Sequence, residues 1–275
     1  MKLTPPAVAP RQYRAAVAAN RFVSTGLIQL TVVCDAPFEF LPGQFAMLNF
    51  TGVRKRTFGR PFSILACDGE RVEFLYRVVG GGTADLADLV EGEELIVLGP
   101  LGKEFPGRPD DREAVLLAGG VGLPPVLAWW HRYGRETDRA YFGGRDAGDL
   151  PRELLPAAWR MSIDSKEPGD EDSLFEGRVP DLARSDLAGL PAADRFVLSC
   201  GPAPLLAAAG KLAAENGWDC FVSMEEHMGC GYGACKGCVI PLRPLEDSPG
   251  EWRNATCCQE GPVFRAEDVV WNRIL

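Results

Sequence analysis

The strongest chemistry in this 275-residue chain is carried by its cysteines. Four residues separate Cys230 from Cys235, and two separate Cys235 from Cys238; nineteen more precede Cys258, with Cys257 just before it. Three thiols on one tight loop and a distant fourth is the spacing of a plant-type 2Fe–2S centre. The residues between them are small: Gly229, Gly231, Gly233, Ala234 and Gly237. Such a loop brings backbone N–H groups close to the bridging sulfides, and those hydrogen bonds help set the reduction potential. Structural zinc is the other chemistry open to clustered thiols. Zinc sites usually pair two short Cys-x-x-Cys knuckles, and here one gap is four residues in a glycine-filled loop, so the spacing favours iron–sulfur. Consecutive side chains point to different sides, so only one of Cys257 and Cys258 can easily reach the cluster.

Two further constellations lie upstream. Arg60-Pro61-Phe62-Ser63 offers a forked donor suited to a phosphate, an aromatic that can cover a flat ring, and a hydroxyl for a polar edge. Tyr76-Arg77-Val78 ends a strand-like run, and Gly80-Gly81-Gly82-Thr83 opens a short helix. A glycine turn feeding a helix N-terminus is an anion site. Each element alone occurs in many barrels; in this order they are more specific. Gly119-Gly120-Val121-Gly122 then follows a strand and precedes a helix, an incomplete dinucleotide fingerprint. Cys200-Gly201-Pro202 sits at the end of a later strand, the same sheet edge. Cys200 could face a nicotinamide or flavin ring there, although on composition alone a buried core cysteine is the commoner case.

The elements that must position these residues fall into three textures. Over 1–108, apolar runs at 27–33, 44–50, 72–79 and 94–98 are broken by Gly and Pro, which predicts an antiparallel β-barrel interrupted by a helix at 83–90. Over 109–220, strand signals at 114–118, 140–142 and 196–199 alternate with helical runs at 124–133 and 203–215. That predicts an α/β parallel-sheet domain; the acidic stretch 164–176 reads as a surface loop. The remaining 221–275, rich in Cys and Gly, reads as a small cluster domain. The expected organisation is therefore multi-domain. Apolar types make up 46% of the chain, enough for such cores, and no apolar run is long enough for a membrane span. Residues 1–11 do not read as a signal peptide. With nine cysteines and no export signal, a reducing, cytoplasmic setting is expected. A formal charge of −9 without a basic stripe disfavours nucleic acid.

Taken in order, Pro42-Gly43-Gln44-Phe45, Arg60 to Ser63, Gly82-Thr83, Gly99-Pro100-Leu101-Gly102, Gly119 to Gly122 and Cys200-Gly201-Pro202 resemble the ferredoxin–NADP reductase superfamily. The tail narrows the resemblance. The run from Ser223 through Met224-Glu225-Glu226-His227-Met228-Gly229 to Cys238, with Cys258-Gln259-Glu260-Gly261-Pro262-Val263-Phe264, is similar to the electron-transfer subunits of two-subunit, NAD-linked dihydroorotate dehydrogenases. The resemblance selects Cys258 as fourth ligand. It implies FAD on Arg60, Pro61, Phe62, Ser63, Tyr76, Arg77, Val78, Gly82 and Thr83, and NAD as co-substrate at Gly119, Gly120, Gly122, Gly201 and Pro202. It also implies a catalytic partner subunit holding FMN, two of each subunit assembling as a heterotetramer, and a place in pyrimidine biosynthesis. Two departures stand out. Phe62 is bulkier than the aliphatic residue often found there, and Arg145-Asp146 follows the second α/β strand, where an arginine could favour a 2′-phosphate.

Nicotinamides exchange two electrons as hydride, iron–sulfur clusters one at a time, and flavins either way; the implied order nicotinamide, FAD, 2Fe–2S is a two-to-one electron converter. No nucleophile or base constellation for the substrate accompanies them. His131 and His227, the only histidines, read as surface or packing residues, and Glu225 and Glu226 either as a solvated pair or as part of the nicotinamide pocket. Rival readings are a flavin/iron–sulfur subunit of a hydrogenase, sulfite reductase or ferredoxin-linked transhydrogenase, and a zinc-binding module without redox chemistry.

Overall fold

The structure, a computed structural model, describes residues 9–51, 58–109, 111–190, 193–245 and 250–275. Residues 1–8, on which the reading against an export signal largely rests, lie outside that set.

Six antiparallel strands close into a barrel: β1 (Arg11–Phe22), β2 (Ile28–Cys34), β3 (Phe45–Phe50), β4 (Arg60–Asp68), β5 (Arg71–Tyr76) and β6 (Glu94–Leu101), in the order β1-β2-β5-β4-β3-β6. Alternation sends Tyr13, Ala15 and Val17 inward from β1, to meet Leu30, Val32, Leu48, Phe74 and Val97. Helix α1 (Gly81–Ala87) follows β5. Its start is fixed by Thr83, whose Oγ1 accepts from the N–H of Val79 at 2.9 Å and of Gly80 at 3.1 Å. Its end is held by Asn20 Nδ2, which donates to the Leu86 carbonyl at 2.8 Å while Asn20 Oδ1 accepts from the Tyr76 hydroxyl at 2.9 Å. The strand run ends at Tyr76 rather than 79, because Val78 and Val79 are exposed and have no partner strand.

The second layer is a sheet in the order β10-β9-β8-β7-β11-β12-β15. Its parallel strands are β7 (Glu113–Gly119), β8 (Arg139–Gly144), β9 (Arg160–Ile163), β10 (Phe175–Glu176), β11 (Arg195–Cys200) and β12 (Asp219–Ser223). Helices α2 (Leu123–Tyr133), α3 (Val179–Ala188) and α4 (Ala203–Asn216) are the crossovers. Proline opens all three, where the missing N–H costs no hydrogen bond, and α4 ends on Gly217 in the left-handed region (φ 70°). The stretch 164–176 is not wholly loop: Phe175 and Glu176 pair with Ser162 and Ile163 at the sheet edge.

The C-terminal residues are not a free-standing unit. The boundary expected at 220/221 falls within β12, and β15 (Val263–Arg265) returns antiparallel to β12 as the last strand of the sheet. The cysteine loop, the two-stranded sheet of β13 (Val239–Leu242) and β14 (Arg253–Thr256), and the single turn α5 (Cys257–Glu260) are thus held between two strands of one sheet. Among the described residues no helix is long and apolar enough to cross a membrane.

Candidate functional site

The cysteine loop leaves the C-terminal end of β12 and lies on the barrel wall. Gly231 (φ 78°) packs so closely on Met47 of β3 that a Cβ would stand 2.5 Å from the Met47 Cγ. Gly233 (φ 87°) lies equally close to Gln259, whose amide donates to the Tyr232 carbonyl at 3.3 Å. Both positions need the left-handed backbone and the missing side chain.

The thiols fall into two pairs. Cys235 N–H donates to Cys230 Sγ at 3.4 Å, and Cys258 N–H donates to Cys238 Sγ at 3.4 Å. Burial works to raise the Cys230 pKa, but N–H groups of Cys235, Tyr232 and Ala234 outweigh it and bring it down to about 7. Burial, together with the Cys238 sulfur, pushes Cys258 up to about 12. Cys257 is fully buried and turned the other way, with Sγ 3.5 Å from the Met224 carbonyl, so Cys258 is the one that joins the loop. Among the described residues no three or more His, Cys, Asp or Glu side chains close tightly enough to hold one metal ion. Four sulfurs in two pairs, with N–H groups aimed at them, suit a dinuclear cluster that takes two thiolates per iron.

Beside the loop lies a cavity of about 490 Å³. Arg60, Pro61, Phe62 and Ser63 of β4 line one wall with Tyr76, Arg77 and Thr83; Ser223 to Met228 line the other. The Phe62 and Tyr76 rings meet edge to face, 5.8 Å between centroids. Arg60 is braced by the carbonyls of Phe58 (2.9 Å) and Gly59 (3.2 Å) and lies across Gly82, where a Cβ would stand 2.5 Å from its Nε. Among the described residues no carboxylate pairs with it, so its charge faces the cavity, a fit for a phosphate. Val78 stands outside this wall, and Gly82 contributes by making room for Arg60.

A second cavity, of about 780 Å³, opens at the carboxyl ends of the parallel strands. Gly119 at the end of β7, Gly120 just beyond it, and Gly201 and Pro202 after β11 line it; Gly120 (φ 53°) has open space before it, so a ligand can approach its backbone. Gly122 is off the wall. A Cβ there would overlap the Cys200 carbonyl and stand 2.5 Å from Gly201 N, so this glycine lets the β7–α2 turn touch the end of β11. Gly122→Ala is expected to destabilise the fold by about 1–3 kcal/mol or more, because a backbone rather than a flexible side chain must move; urea unfolding measures it. Cys200 also stays off both walls: it is 1% exposed and burial raises its thiol pKa. Arg145 lines the cavity, but its Nε donates to Asp149 Oδ2 at 3.0 Å, which ties its charge down rather than leaving it for a 2′-phosphate.

The two cavities meet at Arg77, Val121 and Glu225, which belong to both. Glu225 is exposed at this junction, yet the protein crowded around its carboxyl displaces water and raises its pKa. The sequence left Glu225 undecided; its place just beyond the last parallel strand was the usable signal. Val121 sits within the glycine turn at 119–122 without having been singled out, and Asp149 carried no such signal. His131 is exposed, and His227 lines the smaller cavity. Met228, on the same wall, precedes Cys230 by two residues, which bounds their Cα separation at about 7.6 Å.

Solved structures share this architecture. An NADH-dependent reduced ferredoxin–NADP oxidoreductase superposes with a TM-score of 0.74 at 19% identity, over 94% of this chain and 90% of that one. A ferredoxin NADP⁺ reductase from Neisseria gonorrhoeae, with bound FAD and NADP, gives 0.61 at 18% over 75% of this chain and 92% of that one. Barrel, sheet and meeting cavities therefore share the fold of the ferredoxin–NADP reductases. Residues 225–270 match the iron–sulfur cluster binding domain of dihydroorotate dehydrogenase B. The dihydroorotate dehydrogenase B (NAD(+)) electron transfer subunit of Listeria monocytogenes is 32% identical over 88% of this chain and 96% of its own length; that of Clostridium acetobutylicum is 28% identical over 92% and 95%. The chain belongs to this family of electron transfer subunits.

Proposed function

We propose that the chain carries FAD in the smaller cavity, takes NAD(H) in the larger, holds a 2Fe–2S cluster on Cys230, Cys235, Cys238 and Cys258, and relays electrons from the FMN of a dihydroorotate dehydrogenase catalytic subunit to NAD⁺. The observation that carries the reading is the continuity of the three places: the cavities share Arg77, Val121 and Glu225, and Met228 links the smaller one to the cysteine loop. Bound there, flavin supplies hydride exchange with a nicotinamide and single-electron exchange with the cluster.

The chain's own groups bind and orient. Arg60 holds a flavin phosphate, Phe62 and Tyr76 pack along the ring, and Ser63 offers a hydroxyl to its polar edge. Gly119, Gly120, Gly201 and Pro202 let the nicotinamide nucleotide lie close to the backbone. The barrel (1–108) is thus the flavin domain and the sheet that follows is the nucleotide domain. The test is anaerobic purification with metal and flavin analysis: iron, sulfide and FAD are expected, with NADH bleaching the flavin. A colourless, zinc-loaded protein would refute the reading.

The partner docks at the cysteine loop, because electron tunnelling falls off steeply with distance and Cys235 is exposed. Around it stand Tyr232 (56% exposed), Phe58 (52%) and Val239 (39%), apolar groups of the kind interfaces cover. Tyr232→Asp is expected to weaken a heterotetramer of two subunits of each kind, read as dissociation on gel filtration; an intact complex would move the interface elsewhere. The setting is cytoplasmic pyrimidine biosynthesis.

A further inference from the structure

The barrel and the sheet are joined by a buried ionic node. Asp149, in the turn after β8, is 2% exposed. Both its oxygens accept from Arg77 Nη2 of the barrel, at 2.9 and 3.1 Å. On the sheet side, Arg145 Nε donates to Oδ2 at 3.0 Å and Arg145 N–H to the same oxygen at 3.3 Å. Burial disfavours the charged carboxyl, and the two guanidinium groups outweigh it, holding the pKa below the usual range.

The chain leaves room for this node at Gly26, in the β1–β2 hairpin. A Cβ there would stand 2.8 Å from Arg77 Nη1 and 2.8 Å from Asp149 Oδ1. Nearby, Thr25 N–H donates to the Gly148 carbonyl at 2.9 Å, and Arg21 pairs with Glu153 at the surface. The surface pair adds little. Breaking the buried one leaves a charge without its partner, so of the two ion pairs it is the one with a directional hold across the shared apolar core.

We propose that Asp149 is a positioning residue: by holding Arg77 of the barrel and Arg145 of the sheet, it sets the alignment of the two cavities across which hydride passes. This rests on reading the cavities as flavin and nicotinamide sites. Arg77 lines both, so its displacement shifts the wall they share. Hydride transfer tolerates little misplacement, about 1 Å costing up to a hundredfold.

The test uses the complete two-subunit complex and rapid mixing with NADH. Asp149→Asn is expected to slow the maximal rate of flavin bleaching about tenfold or more and weaken any long-wavelength nicotinamide–flavin charge-transfer band, with half-saturation by NADH changed less than about threefold. Gly26→Ala, which wedges the pair apart without removing a charge, is expected to do the same, and it decides the matter if Asp149→Asn does not yield folded complex. Wild-type maximal rates in the folded variants overturn the proposal. So does a loss confined to NADH binding, which would make the node a nucleotide contact. A wild-type complex that NADH fails to bleach would instead overturn the functional reading beneath it.

Discussion

Cys235→Ser is expected to abolish the iron–sulfur chromophore and electron transfer to the partner, while FAD stays bound and is still bleached by NADH. Cys235 is exposed and outside the hydrophobic cores, so its loss opens no cavity. It is, however, half of the Cys230/Cys235 pair, and its backbone N–H is one of the groups that bring the Cys230 thiol down to about 7. A dinuclear cluster with three thiolates lacks a ligand on one iron, and serine is a poor substitute for a soft thiolate. Cys238→Ser should behave alike, since Cys238 is paired with Cys258. Cys257→Ser is the contrast: its sulfur faces the Met224 carbonyl, so colour and iron content should persist. Visible spectra and iron analysis read all three. A Cys257→Ser variant that lost its iron beside a Cys258→Ser variant that kept it would reverse the assignment of the fourth ligand.

The second large effect is expected at Arg60. Arg60→Ala should weaken FAD binding by about ten- to a hundredfold, the loss of roughly 1.5–3 kcal/mol of charge-assisted hydrogen bonding to a phosphate. The guanidinium is already placed by the Phe58 and Gly59 carbonyls and by Gly82 beneath it, so binding costs little further ordering of the side chain. The cluster should survive, because Arg60 touches none of its thiols. Gly82→Val should shift flavin affinity in the same direction by pushing Arg60 aside. Fluorescence of released flavin on dilution measures both. Unchanged affinity in Arg60→Ala would place the phosphate elsewhere.

The candidate site was unevenly legible in the sequence. The cysteine spacing, Arg60 to Ser63, and the glycine turns at 80–83 and 119–122 are local signals, because each depends on residues within one loop or one strand end. Short or edge elements were not readable: β9 has four residues, β10 has two, and α3 is opened by a proline and broken by polar positions. Gly122 and Cys200 showed the right residue types at the right strand ends and still lie off the cavity wall. Whether a side chain faces a cavity or a neighbouring turn is decided by packing between β7 and β11.

By itself, the sequence carried the 2Fe–2S ligand spacing and the order of barrel, sheet and cysteine-rich tail, since both are written along the chain, and its family resemblance added FAD and NAD. Only the tertiary structure decided where Cys257 turns, into the core against the Met224 carbonyl, that β15 makes the tail part of the sheet, and that Arg77 and Arg145 share one buried carboxylate. Each of these joins residues far apart in sequence, and their closeness follows from which surfaces are buried together, which no local pattern encodes.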